Sequence, residues 1–208
     1  MSQQSELIYY VDENDVPTGE TCEKYAAHHA HTKLHAAFSV YVFNEKGEFL
    51  VTQRAYTKKV WPGVWTNTCC GHPLPGESRE DAIARRLQYE LGMTAKDVRV
   101  LLPRYIYKTP PFNSIIEHEF CPVYIAVATS EPKPNPDEVE QVHWVQWKDF
   151  VRACSEDGAS DAATREWMRG VPQGESRSLG VWSWWCKDQL LQLKDHPLIA
   201  TYAKHNEN

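Results

Sequence analysis

Gly71-His72-Pro73-Leu74-Pro75-Gly76-Glu77-Ser78 runs without a break into Arg79-Glu80-Asp81-Ala82-Ile83-Ala84-Arg85-Arg86-Leu87-Gln88-Tyr89-Glu90-Leu91-Gly92-Met93. Pro73, Pro75 and Gly76 interrupt regular structure, so the first part reads as a loop. Ser78 suits a helix N-cap, with Asp81 three positions on. The spacing of Ala82, Ile83, Leu87 and Leu91 predicts a helix over Arg79 to Leu91. Gly92 suits its C-terminal end, where a left-handed residue is often needed.

Working outward, Ala37 to Phe43 reads as a strand and Asn44-Glu45-Lys46-Gly47 as a turn. Glu48 to Arg54 reads as the returning strand. Trp61-Pro62-Gly63 breaks the chain. Beyond the helix, Val98 to Lys108 and Glu119 to Thr129 are rich in Val, Ile and Tyr, which predicts strands. Glu131 to Asp137 carries three Pro and reads as a bent connector. Val139 to Trp147 reads as a further strand. Ser155 to Ala163, acidic and small, reads as a surface segment. Trp182 to Leu193 has helical patterning, and Pro197 is expected to interrupt the chain beyond it. Strands, a helix, strands and then helices favour an α+β domain over a regularly alternating sheet.

The 208 residues suit one domain, and 42% hydrophobic residues can supply its core. A net charge of -6 argues against a general nucleic-acid binder. Any phosphate site must therefore gather cations locally. The N-terminus lacks the basic start and apolar run of a signal peptide. No stretch reaches the roughly 18 apolar residues of a membrane span. Six Cys are scattered without a metal-type pair, which predicts reduced thiols in a cytoplasmic protein. Strain disfavours a Cys69–Cys70 disulfide.

From Gly71 onward the chain resembles the Nudix signature, a loop and helix that set carboxylates around magnesium and a diphosphate. Glu77, Arg85, Glu90 and Gly92 match. Arg86 and Tyr89 stand where the family has Glu. Hydrolysis by such boxes relies on clustered carboxylates that hold metal and activate water. Two fewer carboxylates and one added cation predict a helix that grips a diphosphate without cleaving it. Arg86 and Glu90 share a helix face. Taken alone they read as an ordinary ion pair on a solvated helix.

The preceding Thr66-Asn67-Thr68-Cys69-Cys70-Gly71-His72-Pro73 resembles, within that superfamily, the type I isopentenyl diphosphate isomerases. Glu23-Lys24-Tyr25-Ala26-Ala27-His28, Thr32-Lys33-Leu34-His35 and Trp61-Pro62-Gly63-Val64-Trp65-Thr66-Asn67 add to the match. So does Glu117-His118-Glu119 followed by Cys121-Pro122-Val123. The resemblance implies a mixed sheet packed between helices, with added N-terminal and C-terminal elements. It implies a single domain over 1–208, with a core of about 34–150 and a helical extension over 151–208. It implies interconversion of isopentenyl and dimethylallyl diphosphate by protonation and deprotonation through a tertiary carbocation.

The same resemblance implies a divalent-ion site of His28, His35, His72, Glu117 and Glu119. Glu117 and Glu119 would share one face of a strand. Zinc, manganese and magnesium all suit that donor set. In one continuous helix His28 and His35 would lie about 10 Å apart along the axis, so a bent segment is expected there. A second ion, magnesium, is implied on Glu90 and the Cys70 carbonyl, together with the substrate. Cys70 and Glu119 are the implied proton carriers, and Tyr107 is the implied hydrogen-bond partner of Glu119. Cys69 is expected only to pack. Trp185 aligns with the tryptophan that faces the cation, and Trp182 and Trp184 are the alternatives. Lys24, Arg54, Lys58 and Arg86 would hold the diphosphate, with Lys59 ranked below Lys58. The partner implied is a small isoprenoid diphosphate, bound by a monomer or a homodimer. The insertion between Cys154 and Gly180 is a candidate lid.

A Nudix hydrolase of nucleoside diphosphate derivatives would need the box carboxylates that Arg86 and Tyr89 replace. A ligand-sensing Nudix-like module usually joins an effector domain, and no second domain is visible in the sequence. Neither alternative accounts for Cys70, His72 and Glu119 together.

Overall fold

The computed structural model describes residues 7–27, 32–112, 115–155 and 182–203. The chain begins with β1 (Leu7–Val11), β2 (Pro17–Glu23) and a single helical turn, α1 (Lys24–Ala27). Next come β3 (His35–Ala36), β4 (Phe38–Phe43), β5 (Glu48–Arg54), β6 (Trp65–Thr66) and β7 (Cys69–Gly71). α2 (Arg79–Leu91) leads into β8 (Ala95–Leu102), β9 (Ile106–Lys108), β10 (His118–Phe120), β11 (Val123–Ala128) and β12 (Val139–Gln146). α3 (Trp147–Ser155), α4 (Trp184–Leu193) and α5 (Pro197–Ala203) finish the described chain. The expected α+β class holds.

The larger sheet runs β12-β5-β4-β11-β8, with β6 added on β5 and β7 on β4. Its β4–β11 pair is parallel and the rest is antiparallel. The smaller sheet runs β2-β1-β3-β10-β9, with β10 parallel to β3. All six residues of β4 are buried, as expected of a central strand covered on both faces. Phe38, Val40 and Val42 meet Ile83, Leu87 and Leu91 of α2. Burial of those three helix residues stabilises the fold by about 1.5–3 kcal/mol each. Tyr41 and Phe43 face the other way, onto Phe150 of α3, Leu190 and Leu193 of α4 and Ile199 of α5.

α2 forms where its pattern predicts. The Ser78 hydroxyl accepts from the Asp81 amide at 3.1 Å, and Gly92 ends the helix at φ 53°. Four boundaries differ from expectation. The strand expected over Val98 to Lys108 is two strands, because Pro103 has no N–H to continue the ladder. Glu119 to Thr129 is likewise split, around Cys121-Pro122, and its halves join different sheets. Trp182 precedes its helix, bridging Trp65, and Ser183 is the N-cap. Pro197 opens α5 instead of interrupting it, since the first helical position needs no N–H. The N-terminal β1–β2 hairpin adds two strands to those expected. Nearly all of the expected surface segment and the insertion lie outside the described residues.

Candidate active site

The loop before α2 is tied by the helix it leads into. Arg85 holds Glu77 with two hydrogen bonds, of 2.7 and 2.8 Å, and donates to the His72 carbonyl at 3.0 Å. Glu77 also accepts the Leu74 amide at 2.8 Å, which closes the Pro-rich turn. Gly71 allows the close approach of β7 to α2. A Cβ there would lie 3.0 Å from Arg86 Cγ and 3.1 Å from the Phe38 ring.

β7 pairs antiparallel with β4, setting Ser39 opposite Cys70. Successive side chains on a strand point to opposite faces. Cys69 accordingly packs with the α2 cluster, while Cys70 packs against the cluster on the α4 side. Cys70 Sγ lies 3.2 Å from Asn67 Oδ1 and 3.2 Å from Ser39 Oγ. Burial pushes the Cys70 thiol up to about 12, against its hydrogen bonds with Ser39 and Asn67. The sulfur therefore rests protonated at neutral pH.

The smaller sheet assembles the carboxylate side. Glu119 stands opposite His35 on one neighbour strand and opposite Tyr107 on the other. Side chains directly opposite on adjacent strands share a face. His72 reaches the same point from the loop, with Nε2 3.0 Å from Glu119 Oε1. His35 Nε2 lies 3.5 Å from that oxygen. His35 Nδ1 donates to the Lys33 carbonyl at 3.0 Å, which aims Nε2 at the Glu119 carboxylate. The Tyr107 hydroxyl donates to Glu119 at 2.7 Å and approaches Glu117 at 3.3 Å. Burial opposes charge on Glu119, but the bonds from His35 and His72 outweigh it and hold the carboxyl well below its usual range. Burial, with the neighbouring Glu119, pushes Glu117 up to about 7.

His35, His72 and Glu119 bring three ligand atoms within 4.8 Å of one another, all buried. Two imidazole nitrogens and a carboxylate are donors that a divalent ion accepts. Glu117 lies beside this group, with Oε2 3.3 Å from the Tyr107 hydroxyl. His28 lies outside the described residues, although α1 ends at Ala27, so Lys24 to His35 is not one helix. Thr32 fastens that stretch to the site by donating to the Ile116 carbonyl at 2.7 Å.

Both halves open on one cavity of about 680 Å³, which Lys24, Arg54, Lys58 and Arg86 also line. Arg54 is aimed by the Trp61 and Val60 carbonyls, at 3.1 and 2.9 Å. Arg86 holds Glu90 at 2.6 and 2.8 Å. That pair is buried in the cavity wall, not placed on a solvated helix face. Lys58 meets Glu138 at 2.5 Å, and Arg86 lies 3.5 Å from the same carboxylate oxygen. Lys59 lines the cavity as well.

Of the three C-terminal tryptophans, Trp185 lines the cavity. Its ring N–H donates to Thr66 Oγ1 at 2.9 Å, and its ring meets Trp61 edge-on at 5.4 Å. Trp182 packs against Phe150 in the core, and Trp184 lies against Tyr107. Sequence reasoning missed Glu138, Ser39 and the bonding role of Asn67. Asn67 stands inside the Thr66 to Pro73 motif, which could have flagged it. Glu138 and Ser39 carry no spacing signal, because only the tertiary fold brings them to the site.

The NUDIX domain family matches residues 33–169. An isopentenyl-diphosphate Delta-isomerase of Shigella dysenteriae is 47% identical over 178 residues, covering 86% of this chain and 94% of that relative. One of Saccharopolyspora erythraea is 47% identical over 145 residues, covering 70% and 74%. A solved Deinococcus radiodurans protein shares the fold, with TM-score 0.56 and 19% identity over 81% of this chain and all of its own. At this level of identity over most of its length, the chain belongs to the type I isopentenyl-diphosphate isomerases of the Nudix superfamily.

Proposed function

We propose that this chain interconverts isopentenyl and dimethylallyl diphosphate with Cys70 and Glu119 as its proton carriers. The observation that supports this reading most is their shared cavity. A thiol from the larger sheet and a carboxylate from the smaller one line it together, with a tryptophan and five cationic side chains. An allylic shift needs an acid at one carbon and a base at another. In the forward direction C4 gains a proton, C2 loses one, and the double bond moves between them. The tertiary cation formed on the way is shielded from water by burial and stabilised by the Trp185 face. Reversal exchanges the roles of Cys70 and Glu119.

Lys24, Arg54, Lys58 and Arg86 would bind the diphosphate, the arginines in bidentate fashion and the lysines as point charges. An ion on His35, His72 and Glu119, with His28 and Glu117 completing its shell, would draw charge from Glu119, and magnesium on Glu90 and the Cys70 carbonyl would neutralise the diphosphate. Tyr107 steadies Glu119 by its hydrogen bond. All six cysteines are free thiols, which accords with a cytoplasmic enzyme.

The test is to incubate the purified chain with isopentenyl diphosphate and magnesium, and separately with common nucleoside diphosphate derivatives. Dimethylallyl diphosphate without phosphate release is expected. Phosphate release from nucleotides, with no allylic product, would overturn the reading in favour of a hydrolase.

A further inference from the structure

We infer that Gln189 is a positioning residue of this isomerase, acting through Ser39 on the sulfur of Cys70. The inference rests on the proposed role of Cys70. Gln189 sits on α4, outside the span matched by the NUDIX domain family. It is fully buried, an unusual place for an amide unless its partners are fixed. Its Oε1 accepts the Tyr41 hydroxyl at 3.0 Å, which turns Nε2 toward Ser39 at 2.9 Å.

Ser39 Oγ thus accepts a hydrogen bond from Gln189 and keeps its own proton to give. Its hydrogen-bond neighbours are Cys70 Sγ at 3.2 Å and Cys121 Sγ at 3.4 Å. On its other side the Cys70 S–H has a fixed acceptor. Asn67 spends both amide protons on the Val40 and Cys69 carbonyls, so its Oδ1 faces the sulfur. With the Ser39 proton turned to Cys70 and not to Cys121, one side of the sulfur meets a donor and the other an acceptor. The sulfur can then lose and regain a proton without neighbouring groups reorienting. Ser39 and Gln189 do not line the cavity. They touch no substrate and act only on the direction of the sulfur's lone pairs.

Steady-state kinetics of the metal-loaded full chain test this, using Ser39→Ala, Gln189→Glu and the double variant. A carboxylate at 189 would accept the Ser39 hydroxyl and turn it away from sulfur. We expect kcat to fall about 10- to 100-fold in each single variant, the loss of one hydrogen bond to a charged group. KM should stay within about twofold. The double variant should be no slower than the slower single one, because both break one chain. Wild-type kcat in Gln189→Glu, or losses that multiply, would overturn the inference. If Gln189→Glu does not fold, Gln189→Met tests the chain by removing the donor that orients Ser39: a lower kcat with KM within about twofold is expected, and wild-type kcat would overturn the inference. Cys70→Ala run alongside separates the failures. Near-normal turnover there sinks the reading of Cys70 itself, whereas a dead Cys70→Ala beside a wild-type Gln189→Glu sinks only this inference.

Discussion

Cys69 and Cys70 share a chemistry and differ in the face of β7 they occupy. Cys69→Ala should keep turnover within about threefold, because it removes one sulfur from a packed cluster and no group from a proton path. Cys70→Ala should lower kcat by about 10²–10⁴-fold, the usual contribution of a positioned acid or base, with circular dichroism and diphosphate binding retained. In the role proposed for Trp185 the ring face matters more than the indole N–H. Trp185→Phe should keep more activity than Trp185→Leu, which loses a contribution of about 2 kcal/mol, or roughly 30-fold in kcat. Equal activity in the two would remove the cation from that ring. Cys70, His72 and Glu119 were legible in the sequence because they sit in short motifs with fixed spacing. Ser39, Gln189 and Glu138 were not, because long chain separations divide them from their partners and no local pattern records the contact.

Helix α2 was the most legible element, since its cap, its apolar stripe and its terminating glycine all agree. Gly92 there is required twice over, by φ 53° and by the Lys133 carbonyl, 2.9 Å from where a Cβ would stand. Gly92→Ala should therefore destabilise the fold by about 1–2 kcal/mol or more, read from denaturant midpoints. The connector into β12 reads in sequence as mere linkage, yet Glu138 at its end reaches the site. Its carboxyl is opposed by burial but held below its usual value by Lys58, with Arg86 adding to this. A depressed carboxyl contributes its stability fully above the unfolded value of about 4.3 and loses it as pH falls through the folded value. The stability gap between the wild type and Glu138→Gln should thus be full at pH 6 and shrink below about pH 4. A gap independent of pH would mean the ion pair contributes nothing to folding. Splitting of the expected strands at Pro103 and Pro122 was readable in principle. Propensity favoured continuity there, and the missing N–H groups decided otherwise.

At the scale of the molecule, the two sheets bring separate equipment to one cavity. The larger supplies the thiol and, through α2, the Arg86–Glu90 pair of the cavity wall. The smaller supplies His35, Glu119 and Tyr107 from three adjacent strands. Class and central helix were visible from composition and periodicity, but a second sheet was not, because β3 and β10 are only two and three residues long. Chelation of divalent ions should lower both activity and the thermal midpoint, since an ion held only by the folded state stabilises it by mass action. Restored metal should recover both. Glu119→Gln should bind metal more weakly and lose turnover. The most direct test of Cys70 and Glu119 as paired proton carriers is deuterium incorporation from heavy water, followed by NMR in the wild type, Cys70→Ala and Glu119→Gln. The wild type should place label at C2 and C4 while forming dimethylallyl diphosphate, and both variants should form it at least about 10²-fold more slowly. Near-normal product and label from Cys70→Ala would contradict the assignment outright.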